Sequence, residues 1–364
     1  METVSATCGQ ISNQRRVNVR YELADMLCSA FAMFSLKSPS LLAFRQQLPA
    51  EKANLQTIYR IGATPGDTQM RAALDPLDPA PLRALFARLF EHLRLAGAVT
   101  AYQYWRDHVI VAVDGVEYFS STKTHCDHCT TRTELVERYP TLKMVLDEDA
   151  LYANAPHIRQ ITGYGWCFVL NVKPDSHPSL EKQFAGCRAT WQVKELRFRD
   201  AQGFQHAFAW TIRLYLCKSA PDVPVNYLFY EQTDPRGKLT RWTWVTNLPL
   251  TARTVERVMH AGRSRWKIEN ETFNTRKNQG SHFEHNYGHG TQNLATTLVL
   301  LMLLAFTVDQ ILQGCWQLFR QIRTSLRTKA KLGENLRGLF QVLVFPSMTD
   351  LYHHLALLYG IQIE

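Results

Sequence analysis

The chain has 364 residues, 46 % apolar and 11 % aromatic, which is enough to bury a large core and excludes an intrinsically disordered chain. Its formal net charge of +9, with a pI near 9.1, points to a polyanionic partner, most simply nucleic acid. Eight scattered cysteines exclude a disulfide-stapled secreted scaffold, and the start METVSATCGQISNQRRVNVRYE lacks the apolar core of a targeting signal, so a reducing cytoplasm is the expected setting.

Residues 1 to about 105 read as helical. Both YELADMLCSAFAMFSL and APLRALFARLFEHLRLAG repeat apolar residues at helical spacing. Between them Asp67 is placed to cap a short helix, TQMRAALD, that Pro76 and Pro79 help to end. This region could read DNA, although a plain helical bundle fits as well. From about 108 the pattern turns to strands. HVIVAVDG and LKMVLDEDA are short buried runs ending in acids; GWCFVLNVKP, TWQVKELRF, HAFAWTIRLYLC, VNYLFYEQTD and TRWTWVTNL follow as five more, with turns between them and TDPRGK as a hairpin turn. A long helix is expected from 251 to about 278, then an apolar helix from Leu294. The run Leu294 to Val308 is short for a bilayer span and reads as a core helix, so no membrane partner is expected. A basic helical tail completes the chain. In it Arg320, Arg323, Arg327 and Lys331 share one helical stripe, either a solvated face or a track for DNA phosphates.

The chemistry lies in three carboxylates. Asp114 ends the first buried strand, Asp149 follows the second, and Glu269 falls on the long helix. Two strand-end aspartates and a helical glutamate, in that order, suit a pair of Mg²⁺ ions, which take hard oxygen ligands. Arg265 lies four residues before Glu269 and Arg276 seven after it, steps that return to one helix face. A salt-bridged surface would show the same spacing. Glu271, about 200° around the helix from Glu269, is the rival acid. Trp266 is expected to pack in the core, with base stacking as the alternative.

AVDGVEYFSSTKTHCDHC, DALYANAP and RSRWKIENETFNTRKNQGSHFEHNYGHG resemble bacterial insertion-sequence transposases of the DDE type, from about residue 20 to 360. The resemblance implies a mixed α+β, α/β fold: a ribonuclease-H-like catalytic domain over 106–290 with a β insertion at about 160–250. Helical regions at 1–105 and 291–364 would flank it. It implies Asp114, Asp149 and Glu269 as catalytic, metal-binding acids for Mg²⁺, with Mn²⁺ as a substitute. It also implies double-stranded DNA as partner (element ends and target) and self-association on that DNA. Arg265, Arg276 and Lys277, with Arg320, Arg323 and Arg327, would contact DNA. Related cut-and-paste enzymes carry a Tyr-x2-Arg-x3-Glu-x6-Lys pattern. Arg265 and Glu269 match it, whereas Gly262 stands at the tyrosine position and Arg276 at the lysine position.

Only 34 residues lie between Asp114 and Asp149. The rest of such a meander and its helix need roughly 35 to 45 residues. An internal deletion is therefore expected, and a non-catalytic DNA-binding remnant is the alternative to an active enzyme. Cys126 and Cys129 form half a zinc site without a second pair, so reduced thiols in a packed loop are the expectation. His282, His285 and His289 suit structural hydrogen bonds, with DNA or water near the metals as the other use.

Overall fold

Among the described residues six α-helices precede the first strand: α1 (Glu2–Gln10), α2 (Leu23–Ser35), α3 (Leu41–Arg45), α4 (Pro49–Tyr59), α5 (Asp67–Leu74) and α6 (Ala80–Leu95). The structure is a computed structural model and describes residues 2–12, 20–45, 48–113, 139–266, 287–288 and 290–362. α2 and α6 match the expected helices. α5 begins one residue earlier than expected: Gly66 is its N-cap and Asp67 its first residue, where the carboxylate accepts from the N–H of Thr68.

The strands build one eight-stranded sheet. They are β1 (Gln103–Trp105), β2 (His108–Ala112), β3 (Met144–Glu148), β4 (Cys167–Asn171), β5 (Lys194–Arg199), β6 (Gln205–Tyr215), β7 (Pro224–Thr233) and β8 (Leu239–Thr246), in spatial order β1-β2-β3-β4-β8-β7-β6-β5. β2, β3 and β4 run parallel and every other pairing is antiparallel. The parallel strands carry continuous apolar runs because helices cover both their faces. On one face Leu146, Phe168 and Leu170 meet Ile158 and Ile161 of α7 (Ala155–Gly163), and Leu180 and Phe184 of α8 (Pro178–Ala189). On the other, Val145, Val169 and Trp244 meet Val255, Val258 and Met259 of α9 (Val255–Gly262). α7 and α8 fall where only turns were expected. Each carried a start signal: Asn154 accepts from the N–H of His157 with Pro156 in the first turn, and Pro178 opens α8.

α10 (Leu294–Cys315), α11 (Gln317–Leu326), α12 (Lys329–Val342) and α13 (Met348–Leu358) follow, making thirteen α-helices among the described residues. Contacts divide the chain into two units, Met1–Ala98 with Thr272–Glu364, and Val99–Glu271. The helical regions read separately at the two ends of the chain thus belong to one unit. The reason is apolar surface that neither region can cover by itself: α2 packs along α10, burying Leu27 and Phe31 and Leu298, Leu301 and Met302. α10 is, among the described residues, the one helix long and apolar enough to cross a membrane, and its buried residues pack within this unit. Its start is tied to α5 through Asp75, whose carboxylate accepts from the N–H groups of Thr291, Gln292 and Leu294 and from the Thr291 hydroxyl. Burial would raise the Asp75 pKa; those donors outweigh it and hold it near 2.

Candidate functional site: three consecutive acids at the end of β3

β3 ends in Asp147 and Glu148, and Asp149 follows directly. Side chains alternate along a strand, so consecutive residues face opposite sides of the sheet. Glu148 lies on the side of α7 and is fully buried at 0 % exposure, bonded to His157 Nε2 of that helix at 2.5 Å. Asp147 lies on the side of α9 and is 1 % exposed. Its Oδ2 accepts from the Ser264 hydroxyl (2.8 Å) and from the N–H of Arg265 (2.6 Å). Desolvation pushes the Asp147 pKa up to about 7, the neighbouring Glu148 adds to the rise, and the two donors and the Arg265 charge oppose it. Asp149 alone of the three reaches solvent. It is half-buried in extended backbone (φ −70, ψ 166) and takes the Ala150 N–H at 2.6 Å, capping a 3-10 turn, Ala150–Tyr152.

The segment after α9 is where the structure departs most from the sequence reading. Instead of one helix from 251 to about 278, α9 covers Val255–Gly262, and residues 263–265 form a turn. In a continuing helix the Arg265 N–H would bond the Ala261 carbonyl. Here Ser264 N–H takes that carbonyl at 2.9 Å, and Arg265 N–H goes to Asp147. A buried carboxylate has replaced a helical acceptor, so Arg265 is in the turn; Glu269 and Arg276, expected to share a helix face with it, lie outside the described residues. Trp266 is 59 % exposed, against the expected core packing. The guanidinium of Arg263 stacks on the ring of Trp242 of β8, 4.6 Å from its centroid.

Gly262, at the tyrosine position of the transposase pattern, has a local cause. A Cβ there would meet Trp244 Nε1 at 2.4 Å and two more indole atoms at 2.7 and 2.8 Å. Trp244 is fully buried and donates its indole N–H to the Gly262 carbonyl at 3.2 Å. Gly262→Ala gains up to about 1 kcal/mol of helix propensity, but overpacking a fixed indole costs about 1–3 kcal/mol or more. Net destabilisation is expected, read as a lower urea midpoint with an unchanged slope. A midpoint at or above wild type would mean that Trp244 moves aside freely.

Asp114, Glu269, Arg276 and Lys277 lie outside the described residues, as do Glu271, Cys126, Cys129, His282, His285 and His289. Val113, the residue before Asp114, donates its N–H to the Asp147 carbonyl at 2.9 Å. No group of three metal-ligating side chains is present among the described residues. Arg320, Arg323 and Arg327 do not make the single stripe that their spacing predicts. α11 stops at Leu326, and Arg327 follows with φ +62. Arg320 donates to the Gly314 carbonyl at 2.8 Å, and Arg323 lines a cavity. Lys331 falls on α12. Asp147, Glu148 and His157 were missed in the sequence because an acid inside an apolar run reads as the run's end. The EDALYANAPH stretch did hold the clue, since Glu148 and His157 are the acid and base that flank it.

Neither the protein-family models nor the curated proteins compared with the chain gave a match.

Proposed function

We propose that the chain is a DNA transposase of an insertion sequence, which cleaves element ends and joins them to target DNA by metal-dependent phosphoryl transfer. The observation that carries this reading is the parallel pairing of β2 with β3, in register from Val109 with Met144 to Ala112 with Asp147. Asp114 follows the first of these strands after Val113, and Asp149 follows the second. Asp149 thus leaves β3 at its carboxyl end, where open α/β sheets bind ligands, and Asp114 is next in sequence to Val113 at the same end of β2. Parallel β2, β3 and β4, extended by antiparallel β8-β7-β6-β5, suit a ribonuclease-H-like core with a β insertion between the second and third acids. Asp149, half-buried after β3, would supply a hard oxygen of the kind Mg²⁺ or Mn²⁺ takes, and Asp114 and Glu269 would complete the set. When bound, the metal supplies charge neutralisation at the phosphoryl group and activation of a water or 3′-hydroxyl. Arg265, Arg276 and Lys277, close to Glu269 in sequence, would hold phosphates in line. Arg320 and Arg327 add positive charge for double-stranded DNA in the helical unit.

The remnant reading keeps one observation in its favour. Only 34 residues lie between Asp114 and Asp149, fewer than the rest of such a meander and its helix need. The deciding experiment is Mg²⁺-dependent cleavage of DNA carrying the inverted repeats that flank the gene. Cleavage by the wild type that leaves a free 3′-hydroxyl, and that disappears in Asp114→Ala, is expected. Binding of those ends without cleavage by the wild type would make the chain a remnant.

A further inference from the structure

Asp149 opens a turn that a side chain from beyond β4 holds in place. The turn is tied together locally. The N–H of Tyr152 bonds the Asp149 carbonyl at 3.0 Å, that of Ala153 the Ala150 carbonyl at 3.2 Å, and that of Asn154 the Tyr152 carbonyl at 2.8 Å. With the Ala150 N–H on the Asp149 carboxylate, these bonds join the acid and the turn into one piece. Apolar packing does not fix that piece at its middle, because Leu151 is 83 % exposed. His177 does: its Nε2 donates to the Ala153 carbonyl at 2.9 Å.

The sheet brings the two segments together. β3 and β4 are parallel neighbours, in register from Val145 with Cys167 to Glu148 with Leu170, so the chain leaves both at the same end. The His177 backbone is anchored there by the start of α8, where its carbonyl accepts from the N–H of Leu180 at 3.0 Å and of Glu181 at 3.2 Å. Because a carbonyl can accept but not donate, the Ala153 contact puts the proton of the neutral ring on Nε2 and leaves Nδ1 a bare lone pair. Nδ1 is buried and has no hydrogen-bond partner. The ring's polar hold is therefore on the turn. Ala153 is 4 % exposed, and a buried carbonyl deprived of its donor is unfavourable.

We propose that His177 is a positioning residue, which fixes the turn from Asp149 to Ala153 against the start of α8 and so sets the direction of the Asp149 carboxylate. The inference rests on the transposase reading, which places Asp149 in the metal set. Replacing a residue that orients a metal ligand without touching the metal costs roughly 10–100-fold in metal affinity or activity.

The probe is Mn²⁺ alone, titrated into the full chain and followed by its electron paramagnetic resonance. Binding by the wild type should be lost in Asp149→Asn, weakened about tenfold in His177→Leu, and within about twofold of wild type in His177→Gln. The glutamine is the rescue, since its amide nitrogen can donate to the same carbonyl. A purely structural role would lower Tm in the variants without moving the Mn²⁺ affinity. Two measurements need neither metal nor DNA. The wild-type imidazole ¹⁵N shifts should show the proton on Nε2, and exchange of the Tyr152 and Asn154 amides should quicken in His177→Leu, recover in His177→Gln and leave β3 and β4 unchanged. A proton on Nδ1 in the wild type overturns the proposal whether or not the variants fold. So does Mn²⁺ binding that depends on Asp149 yet is equal in wild type and His177→Leu, or that is equally weak in the leucine and glutamine variants; the metal set would then stand without His177. Mn²⁺ binding that is absent, or that survives Asp149→Asn, instead refutes the metal set itself, and this inference falls with it.

Discussion

On the proposed transposase reading, Asp149→Asn should reduce Mg²⁺-dependent cleavage of element ends by about 10³-fold or more while leaving DNA affinity nearly unchanged. Loss of a metal ligand removes several kcal/mol of transition-state stabilisation, and each 1.36 kcal/mol is about a factor of ten in rate. The substitution is conservative where it matters for folding. The amide oxygen of Asn can still accept the Ala150 N–H that the Asp149 carboxylate accepts at 2.6 Å, so the turn after β3 stays capped. The choice of Asp149 over its two neighbours rests on exposure: Glu148 is held by His157 at 0 % exposure and Asp147 by Ser264 and Arg265 at 1 %. Single-turnover cleavage, with DNA binding measured in Ca²⁺, separates the two effects. Full cleavage by the variant would remove Asp149 from the proposed metal set.

Asp147→Asn should flatten the dependence of stability on pH. An ordinary aspartate has a pKa of 3.8, and burial holds Asp147 near 7 in the folded chain. Below pH 3.8 both folded and unfolded chains carry the proton, and the contribution is complete. As pH rises from there toward 7 the unfolded chain releases its proton while the folded chain keeps it, so stability falls. Above the folded pKa both forms are ionised and the loss is complete. The span corresponds to about 4 kcal/mol, of which about 2–3 kcal/mol falls between pH 5 and 7. Asparagine cannot ionise, and because both donors reach the same oxygen, Oδ2, its amide oxygen can keep both bonds. Urea unfolding in EDTA from pH 5 to 7.5, compared between wild type and variant, isolates Asp147 from the histidines common to both. Parallel pH profiles would mean that Asp147 titrates as an ordinary carboxyl and that its burial is relieved by something other than the proton.

The sequence by itself determined the elements whose signals are local. Apolar runs such as VIVAV and MVL marked β2 and β3, alternation marked β5 to β8, and helical spacing marked α2, α6 and α10, because side-chain periodicity reports which faces must be buried. It also placed Asp149 directly after an apolar strand. Tertiary structure decided what depends on residues far apart in the chain. Trp244 requires glycine at 262, eighteen residues later, because the indole fills the space of a Cβ. Asp147 ends the helical run before Arg265 by offering a buried acceptor from 118 residues upstream. Arg327 leaves the expected stripe because α11 stops at Leu326, and Arg323 lines a cavity because residues of α2, α10 and α12 surround it. A period along one helix says which residues share a face; whether that face meets water, a carboxylate or a cavity is set by the partners that packing brings to it.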